Sequence, residues 1–207
     1  LSPDTLTFTG VTDGASYNSG MTILISGIET GAIVMYSIDG GVSWSDLDYL
    51  ATTNQLTFNA DAIYSFMLRH SDVAGNFSDT GITNFTIDKT PPVVVISSPL
   101  DSAIFSKNDQ IKFGGGADDG VFGSKIISYQ WFIGSIEITP VTSVTPNTSI
   151  LSPTFFKKGS DLVATSGAGH GSHIIKLRVT DAVGNAGEAT ATIKILDNQD
   201  GGINITF

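Results

Sequence analysis

Apolar residues along this chain recur in short runs with a period near two. In the first 90 residues the runs are TLTFTGV (5–11), MTILISG (21–27), AIVMYSID (32–39), QLTFNA (55–60), AIYSFMLRHSD (62–72) and ITNFTID (82–88). After them come VVVISS (93–98), QIKFGGG (110–116), KIISYQWFI (125–133), SHIIKLRVTD (172–181) and EATATIKIL (188–196). Alternation of this kind, rich in β-branched and aromatic residues, predicts half-buried strands. Gly, Asn, Asp, Ser and Pro fill the gaps and supply turn chemistry. Helical periodicity is almost absent. Strands at this spacing with no helices between them predict an all-β protein built of antiparallel β-sandwiches.

The pattern also repeats. LRHSDVAGNFSD starts at Leu68 and LRVTDAVGNAGE at Leu177, 109 residues apart (177 − 68). That offset is close to the length of one immunoglobulin-type sandwich, about 100 residues. Between the copies lies IDKTPPVVV, where Pro91 and Pro92 remove two backbone donors and fix φ. A central strand cannot run through that step, so residues 1–90 and 91–207 are read as two domains joined by a short, semi-rigid hinge. One stretch departs from the rhythm. Residues 134–170 hold three prolines and many Ser and Thr, and they are read as a long excursion with weak strand-like pieces at ITPVTSV and DLVAT, forming an enlarged edge of the sandwich or, alternatively, a ligand-contacting loop.

Charge narrows the function classes. The formal net charge is −10 and the only arginines are Arg69 and Arg178, so no basic cluster is present for nucleic acid or an anionic membrane surface. There is no cysteine, which excludes disulfides, thiolate metal sites and cysteine nucleophiles. No run of apolar residues is long enough for a transmembrane helix. The opening LSPDTLTFTG lacks a basic segment followed by an apolar one, so the chain is read as a mature or excised part of a longer protein.

The repeated DVAGN (72–76) and DAVGN (181–185) follow strand-like runs. Asp72 and Asp181 suit turns because their side chains accept backbone N–H groups further on. Gly75, Asn76, Gly184 and Asn185 suit them because they tolerate positive φ. Each copy offers too few oxygen donors for a Ca²⁺ loop by itself. GHGSH places His170 and His173 in what reads as an exposed loop, and His70 has no evident partner. No G-x-S-x-G elbow, phosphate loop or paired carboxylates across a cleft is legible. The chain is therefore expected to be no enzyme.

LRHSDVAGNFSDTGITNFTIDKTPP resembles the closing strands and linker of bacterial Ig-like repeats, and GVTDGASYNSGMTILIS (10–26) resembles their opening strands. The second half resembles PKD-type and related Ig-like domains through QIKFGGGADD, KIISYQWFI and GHGSHIIKLRVTDAVGNAGEATATIKI. It departs from that pattern after Trp131, where IGSIEI and the 134–170 stretch replace the usual Asp-Gly turn. The resemblance implies two tandem Ig-like antiparallel β-sandwich domains. It also implies a non-catalytic spacer role in a large adhesin-like protein of the bacterial surface, whose partners are neighbouring domains of the same polypeptide. No cofactor is expected on that reading. The alternative is structural Ca²⁺, as in cadherin-like arrays, with candidate ligands Asp88, Asp118, Asp119, Asp197 and Asp200.

SIDGGVSW (37–44) fits the S-x-D-x-G-x-[ST]-W Asp-box pattern, in which Asp39 ties a hairpin turn. A sialidase would need an arginine cluster that this chain lacks. The alternative function is an accessory module binding a glycan or a host-surface protein. Sugar faces stack on exposed aromatics, and Trp44, Tyr49, Phe155 and Phe156 are the candidates.

Overall fold

Alternation in the sequence becomes sidedness in the structure. Along Ala62–Ser71, Tyr64, Phe66, Leu68 and His70 turn inward, and their neighbours turn out. The structure, a computed structural model, describes residues 3–47, 54–121, 123–139, 142–147 and 149–197. Tyr49 and Asp200 lie outside the described residues. The chain divides into two units, Leu1–Thr90 and Pro91–Phe207.

The first unit contains β1 (Thr7–Thr9), β2 (Ala15–Tyr17), β3 (Met21–Ser26), β4 (Ile33–Ser37), β5 (Ser45–Asp46), β6 (Gln55–Phe58), β7 (Ala62–Ser71), β8 (Phe77–Asp79) and β9 (Thr83–Ile87). One sheet runs β1-β3-β6. The other runs β2-β9-β7-β4-β5, with β8 also paired to β7. Phe66, Phe85, Ile23, Leu68 and Ile87 fill the space between them. Tyr64 stacks on Phe85 with centroids 4.9 Å apart, and Phe58 meets Tyr64 edge-on at 5.0 Å. Full burial of each such side chain stabilises by about 1.5–3 kcal/mol.

The second unit contains β10 (Val93–Ser98), β11 (Ala103–Ser106), β12 (Gln110–Asp118), β13 (Ile126–Ile133), β14 (Ile136–Glu137), β15 (Thr142–Asn147), β16 (Ser149–Lys158), α1 (Gly159–Ser166), β17 (Gly171–Asp181) and β18 (Ala186–Leu196). Its sheets run β10-β12-β16 and β11-β18-β17-β13-β14, with β15 also on β13. The strand order of the first unit is thus repeated. In each unit the opening segment is split: β1 and β10 pair antiparallel within one sheet, whereas β2 and β11 cross to the other sheet. There they run parallel to the closing strands β9 and β18. All other strand pairs are antiparallel.

The 134–170 stretch enlarges the edges of the sandwich. β15 pairs with β13 and β16 pairs with β12 along most of its length, so the stretch contributes to both sheets. Pro146 falls within β15 and Pro153 within β16. Each stands in a strand that pairs on one side only, where a missing N–H leaves the ladder intact. DLVAT is helical rather than extended. Leu162 is buried, Gly167 closes the helix at φ 65°, and the N–H groups of Gly159 and Ser160 reach the carbonyls of Asp109 and Lys107 at 3.0 and 2.7 Å. These tertiary bonds override a weak local preference.

Candidate metal centre

The repeated DxxGN turns share one hydrogen-bond scheme. Asp72 Oδ1 accepts the N–H groups of Ala74 and Asn76, both at 2.9 Å, and its Oδ2 accepts Asn76 Nδ2 at 2.8 Å. Asp181 does the same with Val183 N–H (3.0 Å), Asn185 N–H (2.8 Å) and Asn185 Nδ2 (2.8 Å). Gly75 and Gly184 sit at φ 84° and 95°, a region that an L side chain enters only with strain. The Asn76 side chain, foremost, and the turn N–H groups hold the Asp72 carboxyl below its usual value, against a smaller contribution from burial.

The two turns differ in their surroundings. Asp72 stands on a largely exposed loop, whereas Asp181 is 0% exposed. Asp181 ends β17, and Asp119 follows β12; both carboxylates are buried, with oxygens within 4.8 Å of each other. Gly123 lies close against Asp119. A Cβ at Gly123 would lie 1.9 Å from the Asp119 carbonyl oxygen and 2.6 Å from its carboxyl carbon, so only glycine fits there. Two unit negative charges at this separation repel by about 3 kcal/mol at an effective dielectric of about 20. Ca²⁺ holds oxygens at about 2.3–2.6 Å, so two ligands of one ion lie within about 5 Å of each other. The donor set and its spacing therefore fit a hard divalent cation. Sequence reasoning placed Asp119 among the metal candidates but assigned Asp181 only to a turn. Its closeness to Asp119 joins residues 62 positions apart (181 − 119), at the ends of strands of different sheets.

Asp118 and Asp197 are engaged elsewhere. Asp118 is exposed and accepts the Gly120 N–H at 2.8 Å. Asp197 pairs with Lys107 Nζ at 2.6 Å, and this bond, foremost, lowers its carboxyl from the usual range. It is thus a cation partner already matched within the chain. Asp88 belongs to the first unit, just past β9, where it is buried and accepts the Thr90 N–H at 3.2 Å.

The Asp box is a closed turn. Asp39 Oδ1 accepts Ser37 Oγ (2.7 Å) and the Ser43 N–H (2.9 Å), and Oδ2 accepts Ser43 Oγ at 2.5 Å. Ser43, through its side chain and then its backbone, with Ser37 next, lowers the Asp39 carboxyl from 3.8 to about 2. A depressed native pKa means stability that is present above the unfolded value and lost as pH falls through the folded one. Urea titrations should accordingly show the first unit losing stability between pH 3.8 and about 2, and Asp39→Asn should remove part of that slope. An unchanged slope in the variant would count against the assignment.

The aromatic candidates are mostly occupied. Trp44 donates Nε1–H to the Gly41 carbonyl at 3.0 Å, and the Arg69 guanidinium lies over its ring at 4.3 Å. Arg69 also lies over Phe77 at 4.6 Å and makes a two-pronged ion pair with Asp79, both contacts at 2.7 Å. One face of Trp44 is therefore covered, which disfavours it as a sugar platform. Phe155 packs into the core, stacked on Phe113 at 4.8 Å. Phe156 alone of these three is exposed, at 58%. Alternation along β16 explains the split, since neighbouring residues face opposite sides.

The histidines also differ from the sequence reading. His70 is fully buried; its Nδ1 lies 2.9 Å from the Asp4 carbonyl, and its Nε2 accepts the Glu29 N–H at 3.4 Å. His173 is buried rather than part of an exposed loop, because it points inward on β17.

Neither a protein-family model nor a curated protein matches the sequence. Similar solved structures do exist. The I-band fragment I67–I69 of titin aligns with 92% of this chain and 65% of its own length, at 10% identity and a TM-score of 0.53. An E-to-A variant of the same three titin domains aligns with 94% of this chain and 66% of its own, at 10% identity and a TM-score of 0.54. The fibronectin(III)-like modules of Clostridium thermocellum CbhA align over 95% and 97%, at 14% identity and a lower TM-score of 0.41. This chain is thus about two thirds as long as the titin fragments. At such identities the likeness concerns the fold: two tandem Ig-like sandwiches, nearly all β. Among the described residues no helix is long and apolar enough to cross a membrane.

Proposed function

We propose that this pair of tandem Ig-like sandwiches is a non-catalytic spacer of a bacterial surface protein, extending or presenting a functional region carried elsewhere on the same polypeptide. The supporting observation is the repetition of one strand order in both units, each closing on the same hydrogen-bonded DxxGN turn. A repeated scaffold of this kind suits a load-bearing array, because each sandwich resists extension on its own core. Single-molecule stretching of the chain tests this. Two separate unfolding steps are expected, the first unit releasing about 300 Å of contour from its roughly 90 residues. A gradual extension without steps would overturn the reading.

We further propose that the second unit binds structural Ca²⁺ through Asp119 and Asp181. The charge that these buried carboxylates set against each other is the reason for a cation there. Ligand binding to the native state alone adds about 2.7 kcal/mol at a hundredfold excess over Kd. Millimolar Ca²⁺ should therefore raise the melting temperature of the second unit and leave the first unchanged. Asp119→Asn should abolish that rise, and in chelator it should melt no lower than the parent. A Ca²⁺ response that survives this substitution would place the ion elsewhere.

A further inference from the structure

The β10-β12-β16 sheet of the second unit turns one face to the core and leaves the other uncovered. Ile111 and Phe113 are buried on the inner face, with Val94, Ile96, Ile150 and Phe155 packed against the same core. Their neighbours along each strand point outward. Val93, Val95, Leu151 and Phe156 are exposed there, Leu151 at 87%. Gly116 stands opposite both Val95 and Leu151, so the middle of the face is a groove of about 320 Å³ between apolar side chains. Only glycine fits at its floor. A Cβ at Gly116 would lie 2.7 Å from the Ile150 carbonyl oxygen and 3.1 Å from Leu151 Cδ2.

Charge on this outer face is confined to its ends. Asp118 stands beside Val93 and Ser149 at one end. Lys112, beside Phe156, and Lys158, beside Gln110, stand at the other. The outward-facing positions between Asp118 and Lys112 carry no formal charge. Along β12 the two charges are separated by about 20 Å, at roughly 3.4 Å per residue. The face is thus an apolar, grooved surface with an anion at one end and cations at the other.

We propose that this face docks on the same face of a second copy of the chain, the two sheets stacked with their β12 strands antiparallel. A contiguous exposed apolar surface marks an interaction site, and sheets pack face to face at about 10 Å. Charge complementarity selects both the occupant and its direction. A two-fold axis running across the strands near Gly115 sets Asp118 of each copy over the partner's Lys112, and sets the two grooves against each other. With the strands parallel, Asp118 would meet Asp118 and Lys112 would meet Lys112, and both contacts would repel. The sheet area involved is about 300 Å² per copy, well under the roughly 800 Å² per partner of a stable dimer. The pairing is therefore weak, and it suits copies held close together on one surface. It depends neither on the spacer reading nor on Ca²⁺.

The test is sedimentation equilibrium of the full chain from micromolar to millimolar concentration. At physiological ionic strength the net charge of −10 on each copy is screened beyond about 8 Å, while charges in contact still attract. A reversible monomer–dimer equilibrium is expected at the upper end of the range. Leu151→Lys changes an exposed side chain, so it should keep the fold and abolish the dimer. Asp118→Lys and Lys112→Asp should each weaken association about tenfold, because two symmetry-related contacts turn from attraction to repulsion. Combining both substitutions in one chain should restore it. A chain that stays monomeric at millimolar concentration would overturn the proposal. So would a dimer that survives Leu151→Lys, or a combined variant that associates no better than either single one.

Discussion

Trp131→Ala should unfold the second unit while leaving the first folded. Trp131 is fully buried on β13, edge-on to Phe113 at 5.4 Å and to Phe155 at 6.1 Å. It joins residues of both sheets, because Phe113 stands on β12, Phe155 on β16, and Trp131 in the facing layer. Truncating a buried Trp costs about 3–5 kcal/mol, comparable with the whole stability of a marginal domain. Calorimetry should resolve this as loss of one transition and retention of the other. Trp131→Phe should be far milder. It keeps an aromatic contact with Phe113 and removes an indole N–H that has no acceptor among the described residues. If Trp131→Phe proved as damaging as Trp131→Ala, the indole itself, and not the aromatic volume, would be what the core requires.

The second large effect concerns the repeated turn. Asp181→Ala should cost about 2–4 kcal/mol, because it removes a fully buried carboxylate that accepts three hydrogen bonds. Asp72→Ala removes the same three bonds from an exposed loop, where water replaces them, so its loss should be clearly smaller. Asp181→Asn separates bonding from charge. It retains an acceptor oxygen and drops the negative charge beside Asp119. In chelator it should melt close to the parent, and in Ca²⁺ it should lack the parent's gain. Equal losses for Asp72→Ala and Asp181→Ala, measured by urea unfolding of each unit, would show that burial does not distinguish the two turns.

Much of the scaffold was legible because it rests on local chemistry. The alternating runs at 62–72 and 172–181 became β7 and β17, and KIISYQWFI became β13 with its Trp inward. The DxxGN turns are fixed by the Asp side chain, a glycine at positive φ and the reach of Asn, all within five residues. Short strands escaped notice for a matching reason. β2, β8 and β11 contain three or four residues each, too few for a period to register, and β2 and β11 find their parallel partners 70 or more positions away. ITPVTSV caught only the start of β15, and β16 went unread, because each strand carries a proline whose tolerance depends on standing at an edge, a property of the assembled sheet.

The sequence by itself determined the all-β class, the repeat, the turn chemistry and the lack of a basic surface, because those follow from period, side-chain type and net charge. The tertiary structure decided which groups are buried and which meet. It enclosed Asp181 but not Asp72, although their flanking sequences and hydrogen bonds are nearly the same. It turned Phe155 into the core and Phe156 out, covered Trp44 with Arg69, and buried His173 on the inner face of β17. The physical reason is common to all four. Burial and electrostatic neighbourhood are made by residues distant in the chain, and a local pattern records only which face a side chain takes, not what stands opposite it.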